Sequence, residues 1–280
     1  MALVCYIYIV PVRCLRKRFL LNSFRTHGPV TTWGEFMGRY INLVGYRTER
    51  KISGYLLKMA SDQIQGWLNN WESDCTPWHM SDVHEGLANH YDILVNKPAA
   101  KNKIFVPLCG KSVDIKWLAD RGNEVVGVEA AEMGLVEFFT EQNIEYSVEE
   151  VPSVKGKLFR SRDNKIRLYF CDIFDFSADI ESGFSGVWDR GSMEALEFDD
   201  RKRYFKLMKS LISPDTGYLS EIVERDLGKG PPYCVTADEI EASFGSGCKV
   251  TKLMTVTKLP EYAFHISDFI GLNVFSITFH

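Results

Sequence analysis

Short apolar runs alternate with segments of helical spacing along the last two thirds of the chain. The apolar runs predict β-strands at residues 104–108, 124–129, 167–171, 186–189, 217–223, 250–256 and 274–279. Apolar residues three and four positions apart predict helices between them, at residues 113–120, 133–142, 201–211 and 237–244. Strands that alternate with helices are typical of βαβ units, in which a parallel sheet is covered by helices on both faces. The pattern therefore predicts an α/β fold with a mostly parallel, seven-stranded sheet.

Two further helices are predicted before the first strand, at residues 61–72 and 83–95. The earlier one carries Trp67 and Trp71 on one face, because residues four positions apart lie on the same side of a helix. We therefore expect a single domain over residues 59–280, with these helices ahead of the sheet.

Charge divides the chain at about residue 58. Residues 1–58 hold ten Lys or Arg and two Asp or Glu, which gives +8, and the rest of the chain holds 23 basic and 35 acidic residues, which gives −12. An acidic body argues against nucleic acid as a partner. The basic segment is interpreted as an extension outside the fold, poorly structured or used for targeting. A mitochondrial transit peptide is the alternative to a cytoplasmic protein.

The cysteines and histidines give little indication of metal binding. Seven cysteines are scattered without a C-x-x-C pair, which is typical of reduced thiols and not of a disulfide framework or a zinc site. His79, His84 and His90 lie five and six residues apart, so they do not share one helical face, and no metal is expected. No apolar run approaches the ~20 residues that span a bilayer. We expect a soluble, monomeric, cytoplasmic protein with a small-molecule substrate.

The loop after the first strand, residues 107–112 (PLCGKS), is a candidate ligand site, because ligands of such sheets bind beyond the carboxyl ends of the strands. A phosphate-binding loop of the form G-x-x-x-x-G-K-S requires glycine where this chain has Phe105. A dinucleotide fingerprint requires three glycines, and only Gly110 is present. The third possibility is S-adenosylmethionine, a cofactor that needs only close backbone approach and nearby carboxylates.

Three further strand ends offer side chains for this cofactor. Glu129 ends the second strand, where a carboxylate can accept hydrogen bonds from ribose hydroxyls. After the third strand, Asp172 can accept the adenine amino group, while Ile173 or its neighbour packs on the ring. After the fourth strand, Arg190 lies where the reactive end of the cofactor would meet the substrate. A structural ion pair with Asp189 is the alternative interpretation of that arginine.

Five motifs occur in an order and form that resemble one enzyme family. They are WLNNWESDCTPWH (67–79), FVPLCGKSVDIKWLADRGNEVVGVEAAEMGLVEFFTEQNIEY (105–146), YFCDIFDF (169–176), VWDRGSMEAL (187–196) and GPPYCVTADEIEASFG (230–245). From these motifs the chain is identified as a member of the thiopurine S-methyltransferase family. The resemblance covers roughly residues 60–260.

This resemblance implies a class I S-adenosylmethionine-dependent methyltransferase with a Rossmann-like sheet and an N-terminal helical cover, here residues 61–96. Its substrate would be a thiopurine or a related aromatic or heterocyclic thiol. Carried over position by position, the cofactor-binding residues would be Trp67, Trp71, Trp78, Leu108, Glu129, Asp172, Ile173 and Arg190. Trp78 and Arg190 would also bind the substrate, and Arg190 would be catalytic, since a cation favours the thiolate form of the acceptor. The family often has Ser where Asp172 stands.

The C-terminal part leaves the methyl acceptor open. Residues 258–267 (KLPEYAFHIS) lack the basic residues expected there from the vertebrate enzyme. Small thiols, sulfide, selenols and halides are therefore candidate acceptors as well. Two different functions also stay open, a catalytically silent binder that keeps the cofactor pocket and a nucleotide-dependent oxidoreductase.

Overall fold

The computed structural model describes residues 62–95, 102–226, 230–259, 263–264, 266 and 268–280. The chain divides into two compact units, Met1–Gly66 and Trp67–His280. Of the first unit, only residues 62–66 are described, and the predicted extension over residues 1–58 lies outside the described residues. The second unit contains the sheet.

The described helices and strands follow the predicted alternation. The α-helices are α1 Asp62–Glu72, α2 Glu85–Asn89, α3 Tyr91–Leu94, α4 Val113–Asp120, α5 Glu132–Glu141, α6 Ser192–Ala195, α7 Phe198–Leu211 and α8 Ala237–Phe244. The strands are β1 Lys103–Val106, β2 Glu124–Glu129, β3 Tyr146–Val151, β4 Gly156–Ser161, β5 Ile166–Phe170, β6 Gly186–Arg190, β7 Gly217–Arg225, β8 Cys248–Thr255 and β9 Phe269–Phe279. In the part of the chain that the structure describes, no helix is long and apolar enough to cross a membrane.

The strands form one sheet in the order β3-β4-β5-β2-β1-β6-β7-β9-β8. The five central strands, β5, β2, β1, β6 and β7, are parallel to one another, and the outer strands pair antiparallel. The predicted α/β class is confirmed, but the predicted count of seven strands is wrong, because the described sheet has nine. The two missed strands are β3 and β4, a hairpin on the edge of β5.

Apolar side chains cover both faces of the sheet, as expected where helices pack on each side. Along β1, Ile104 and Val106 belong to one buried cluster, and Phe105 belongs to the other. Neighbouring side chains of β6 divide in the same way, with Val187 on one face and Trp188 on the other. The parallel strands are therefore fixed from both sides, and the loops at their carboxyl ends have a rigid support.

Two helices depart from their predicted bounds. The predicted helix at residues 83–95 is two short helices, α2 and α3, because the backbone leaves the helical conformation at His90, where φ is −126°. Helix α7 begins at Phe198, three residues before the predicted start, and carries Asp199 and Asp200 in its first turn. Carboxylates there interact favourably with the positive end of the helix dipole.

Candidate active site

Four neighbouring strands bring the predicted cofactor residues to one edge of the sheet. The strands lie side by side in the order β5, β2, β1 and β6. Strand β2 ends at Glu129 and β6 ends at Arg190, while Asp172 and Leu108 lie two residues after the ends of β5 and β1. All four strands are parallel, so these residues lie at the carboxyl edge, where open α/β sheets bind their ligands.

The loop after β1 has an unusual backbone. Both Leu108 (φ 42°) and Gly110 (φ 52°) adopt the left-handed backbone conformation, which residues other than glycine rarely adopt. A side chain at Gly110 would also be crowded, since a Cβ there would lie 3.1 Å from Cε1 of His79 and 3.4 Å from Cζ2 of Trp71. The glycine therefore lets the segment that contains His79 pack directly on the loop.

Glu129 is held in place by backbone donors from two loops. Its Oε2 accepts the N–H of Gly110 at 2.9 Å, and its Oε1 accepts the N–H of Ala131 at 2.8 Å. The residue is only 9% exposed. Burial raises the pKa of Glu129, although these backbone N–H groups favour its charged form. The carboxylate is thus fixed in direction before any ligand arrives.

Asp172 and Ile173 follow β5. The Asp172 carboxylate accepts the N–H of Phe174 at 2.9 Å and so caps the short 3-10 helix Ile173–Asp175. Ile173 is buried in the apolar cluster on one face of the sheet. One carboxylate oxygen of Asp172 is therefore used to shape its own loop.

Three tryptophans and a histidine form a cluster beside the loop after β1. The ring of Trp78 meets that of Trp67 edge-on at 5.2 Å and that of Trp71 at 6.3 Å. The ring of Trp71 lies 5.0 Å from that of His79. Trp71 also packs on the first turn of α5, where a Cβ on Gly134 would lie 2.9 Å from Cη2 of the indole. Trp71 thus contacts the loop after β1 and the first turn of the helix after β2, and the rings of Trp67 and Trp78 lie beside one another next to it.

His79 was considered from the sequence only as a metal ligand. Its Nε2 is buried and has no hydrogen-bond partner among the described residues. Burial, with smaller contributions from the charges of Lys111 and Arg190, lowers the pKa of His79 to about 2, so the ring is neutral at physiological pH. Across the described residues, no three His, Cys, Asp or Glu side chains are grouped to hold a metal ion.

Arg190 ends β6 and is held from two sides. Its Nη2 donates to the carbonyl oxygen of Trp78 at 2.9 Å, and its Nε lies 3.5 Å from Oε2 of Glu221. Glu221 stands opposite Arg190 in the β6–β7 register and also pairs with Nε2 of His84. Asp189, considered from the sequence as the ion-pair partner, instead accepts the hydroxyl groups of two buried tyrosines.

A family model described as thiopurine S-methyltransferase matches residues 62–268 of this chain. The chain belongs to this family. The probable thiopurine S-methyltransferase of Danio rerio is 44% identical over 201 residues, which cover 71% of this chain and 86% of that protein. The thiopurine S-methyltransferase of Bos taurus is 39% identical over 201 residues, which cover 71% and 82%.

A solved structure shows the same fold. The 1,6-didemethyltoxoflavin-N1-methyltransferase of Burkholderia thailandensis, solved with 1,6-didemethyltoxoflavin and S-adenosylhomocysteine bound, aligns with a TM-score of 0.52. The alignment covers 79% of this chain and 91% of that one at 12% identity, a likeness that shows the fold alone. Together with the family match, it confirms the predicted class I methyltransferase fold.

Membership of the thiopurine S-methyltransferase family confirms the resemblance seen in the motifs. It also confirms the predicted enzyme class, an S-adenosylmethionine-dependent methyltransferase that acts on a small molecule. The roles of individual residues remain predictions.

Two residues of the site were missed by the sequence analysis. Glu221 is the one carboxylate in the predicted strand at residues 217–223, whose other residues are mostly apolar, and this is a signal that could have indicated it. His84 gave no comparable signal, since its role depends on its contact with Glu221 of β7. Both residues reach the site only through Arg190.

Proposed function

We propose that the chain transfers the methyl group of S-adenosylmethionine to the sulfur of thiopurines or related aromatic and heterocyclic thiols. The observation that carries this proposal is the position of Arg190. Its guanidinium is held by Trp78 and Glu221 at the edge of the sheet where Leu108 and Glu129 also lie. The relatives named thiopurine S-methyltransferase support the same acceptor class.

The residues at this edge fit S-adenosylmethionine. Glu129 would accept the ribose hydroxyls, because each carboxylate oxygen can accept more than the one backbone N–H it already has. Leu108, with its left-handed backbone, lines the same edge, and Asp172 and Ile173 would contact the adenine. When bound, this cofactor supplies a methyl group on a positively charged sulfur.

The tryptophans would cover the cofactor. Trp67, Trp71 and Trp78 lie in the segment proposed as the N-terminal cover, residues 61–96 of a domain that spans residues 59–280. Trp71 is buried and anchored on Gly134, whereas Trp67 and Trp78 are half-buried. A buried anchor with two more exposed rings is suited to closing over a ligand and excluding water from it.

Arg190 would act on the acceptor. A guanidinium beside the sulfur favours the thiolate over the thiol, whose proton is lost to solvent. Leu108 and Glu129 would hold S-adenosylmethionine, which would supply the methyl group to this thiolate in one displacement, its own sulfur keeping the electrons of the broken bond. Holding the two reactants in line can contribute about 7–11 kcal/mol to lowering the barrier. Trp78 would add an aromatic wall beside the acceptor ring.

The test is methyl transfer from labelled S-adenosylmethionine to 6-mercaptopurine by the full chain. We expect turnover by the wild type and a fall in kcat of roughly tenfold or more in Arg190→Ala, since a positioned charge is lost. The affinity for S-adenosylhomocysteine, measured by calorimetry, should stay within a few-fold of wild type. Arg162→Ala is the matched control, because Arg162 is exposed and pairs with the exposed carboxylate of Glu145.

The outcomes separate the parts of the proposal. A wild type that binds S-adenosylhomocysteine without methylating 6-mercaptopurine would contradict the acceptor class and direct the search to small thiols, sulfide, selenols and halides. Loss of S-adenosylhomocysteine binding in Arg190→Ala would mean that Arg190 holds the cofactor or the structure of the site, and it would contradict the proposed action on the acceptor. A folded wild type that does not bind S-adenosylhomocysteine would refute the whole proposal.

The proposal includes a setting for the enzyme. We expect it to act as a monomer in the cytoplasm. A nucleic-acid partner is not expected, because residues 59–280 carry a net charge of −12. Light scattering after size exclusion tests the monomeric state. A fluorescent fusion of the full chain tests the location in the cell, and mitochondrial signal would favour the targeting interpretation of residues 1–58.

A further inference from the structure

The loop at residues 230–236 is attached to the segment that follows Arg190. The backbone N–H of Tyr233 donates to the carbonyl oxygen of Glu194 at 2.7 Å. Glu194 belongs to α6, the short helix that begins two residues after Arg190. Because Arg190 marks the acceptor end of the proposed site, this loop lies beside that end.

The same loop is tightly folded and is also attached to α7. Nη1 of Arg201 donates to the carbonyl oxygen of Cys234 at 2.9 Å. A Cβ on Gly230 would overlap the ring of Tyr233, so that ring lies directly on the backbone of the glycine. Val235 is buried in the apolar cluster on one face of the sheet. Contacts therefore support the loop at both of its ends.

Arg225, the last residue of β7, joins this loop to a second segment. Its Nη1 donates to the carbonyl oxygen of Pro232 at 2.9 Å. Its Nη2 and Nε donate to the carboxylate of Asp268, which directly precedes β9, at 2.6 and 3.3 Å. The side chains of Arg225 and Asp268 are both buried. The planar guanidinium, with its N–H groups in fixed directions, thus holds a carbonyl and a carboxylate at once.

Strand β7 neighbours β6 on the side away from the strands that precede the proposed cofactor residues. The sheet order β5-β2-β1-β6-β7 places Leu108, Glu129 and Asp172 on one side of β6. Arg225 lies on the other side, at the same carboxyl edge as Arg190, because β6 and β7 are parallel. The two segments that Arg225 joins therefore flank the acceptor end of the proposed site.

We propose that Arg225 is a positioning residue for the methyl acceptor, which holds the loop at residues 230–236 and the segment before β9 together as one wall beside Arg190. The inference rests on the proposed function, because that function places the acceptor sulfur next to Arg190. A wall of fixed shape keeps the acceptor in line with the methyl donor, and a misplacement of about 1 Å can cost much of the rate. Arg225 acts through the two segments and not by contact with the acceptor.

The test is the substitution Arg225→Lys in the full chain. A lysine keeps the positive charge but lacks the planar fork that reaches the carbonyl and the carboxylate together. We expect kcat/KM for 6-mercaptopurine to fall by about tenfold or more, because the acceptor is less well aligned. The affinity for S-adenosylhomocysteine, measured by calorimetry, should stay within a few-fold of wild type, because the proposed cofactor residues lie across β6. A role in stability alone would lower Tm and leave kcat/KM of the folded enzyme unchanged.

Arg167→Lys is the matched control. Arg167 is as buried as Arg225 and also donates to carboxylates, those of Glu181 and Glu124. It lies near the start of β5, at the opposite edge of the sheet from the proposed site. Its substitution should therefore cost stability in a similar way and leave kcat/KM at the wild-type value.

An unchanged kcat/KM in a folded Arg225→Lys protein would overturn the inference, and so would equal losses of kcat/KM and of S-adenosylhomocysteine affinity. If that variant does not fold, Asp268→Asn decides, since it weakens the hold on the segment before β9 while Arg225 keeps its bond to Pro232. An unchanged kcat/KM in Asp268→Asn would likewise contradict the proposed wall. A wild type that does not methylate 6-mercaptopurine refutes the proposed function, and the inference with it.

Discussion

Three buried carboxyl groups around β6 and β7 lie in different environments, which shift their pKa values in different directions. Burial raises the pKa of Asp189, even though Tyr204 and Tyr218 each donate to it at 2.7 Å. Burial, and after it the charges of Glu221 and Asp189, raise the pKa of Glu194 well above its usual value. The pKa of Glu221 is lowered by its contacts with His84 and Arg190, which outweigh its burial. Glu221 therefore loses its proton more readily than an exposed glutamate, whereas Glu194 and Asp189 hold theirs more tightly than exposed carboxyl groups do.

The raised pKa of Glu194 predicts a pH-dependent effect of the substitution Glu194→Gln. The folded state holds the Glu194 proton more tightly than the unfolded chain, in which glutamates have a pKa of about 4.3. Stability is therefore lost as the pH rises from that value toward the folded pKa. Gln cannot ionise and avoids this loss. We expect the difference in Tm, Glu194→Gln minus wild type, to become more positive between pH 5 and pH 8.

Thermal melts across that pH range provide the measurement. Glu197→Gln is the control, because Glu197 lies three residues further along and is exposed. The difference in Tm between Glu197→Gln and wild type should not change with pH. A flat difference for Glu194→Gln as well would show that Glu194 is charged in the folded protein.

Single residues were predictable where their position alone defines their task. Glu129 and Arg190 were assigned from the strands they end, and the structure places both at the carboxyl edge. The role of Glu129 as a ribose acceptor remains a prediction. The contact between His84 and Glu221 was not predictable, because it joins segments more than a hundred residues apart. Sequence spacing carries no information about such a contact.

At the scale of elements, two helical glycines allow a paired prediction. A Cβ on Gly134 would lie 2.9 Å from the Trp71 ring, whereas a Cβ on Gly66 would meet nothing within 4 Å. Gly66→Ala should raise stability by about 1 kcal/mol, the usual gain from replacing a helical glycine. Gly134→Ala should not raise the free energy of unfolding in this way, because the indole of Trp71 must move to make room for the methyl group. It should also weaken S-adenosylhomocysteine binding if Trp71 belongs to the cover.

Urea unfolding and calorimetry of both variants test this contrast. Equal stabilisation by the two alanines would mean that the Trp71 ring is not seated on α5. Unchanged S-adenosylhomocysteine affinity in Gly134→Ala, together with a shifted tryptophan emission spectrum, would place Trp71 outside the cofactor site.

Elements were predictable where burial creates a pattern. All seven predicted strands are present, and all of them except β8, which is half-buried or exposed along its length, contain buried apolar residues. The hairpin of β3 and β4 was missed because β3 is exposed along nearly its whole length and contains Glu149 and Glu150. An edge strand with no apolar alternation carries no sequence signal, and its existence depends on pairing with β4.

At the scale of the whole molecule, charge and structure divide the chain at similar places. The basic segment ends at residue 58, and the second compact unit begins at Trp67. The residues assigned to the site, from Trp67 to Glu221, all lie in that unit. The +8 segment is therefore expected to contribute neither to the fold nor to the cofactor site.

This expectation predicts the behaviour of two truncations. A chain of residues 59–280 should bind S-adenosylhomocysteine and methylate 6-mercaptopurine as the full chain does, although its net charge changes from −4 to −12. A chain that begins at residue 73 should lose affinity, because it lacks Trp67 and Trp71, whose rings contact Trp78. Calorimetry on both, with circular dichroism to confirm folding, gives the comparison. A folded 59–280 chain with reduced affinity would mean that the basic segment contributes to the site and that the domain begins before residue 59.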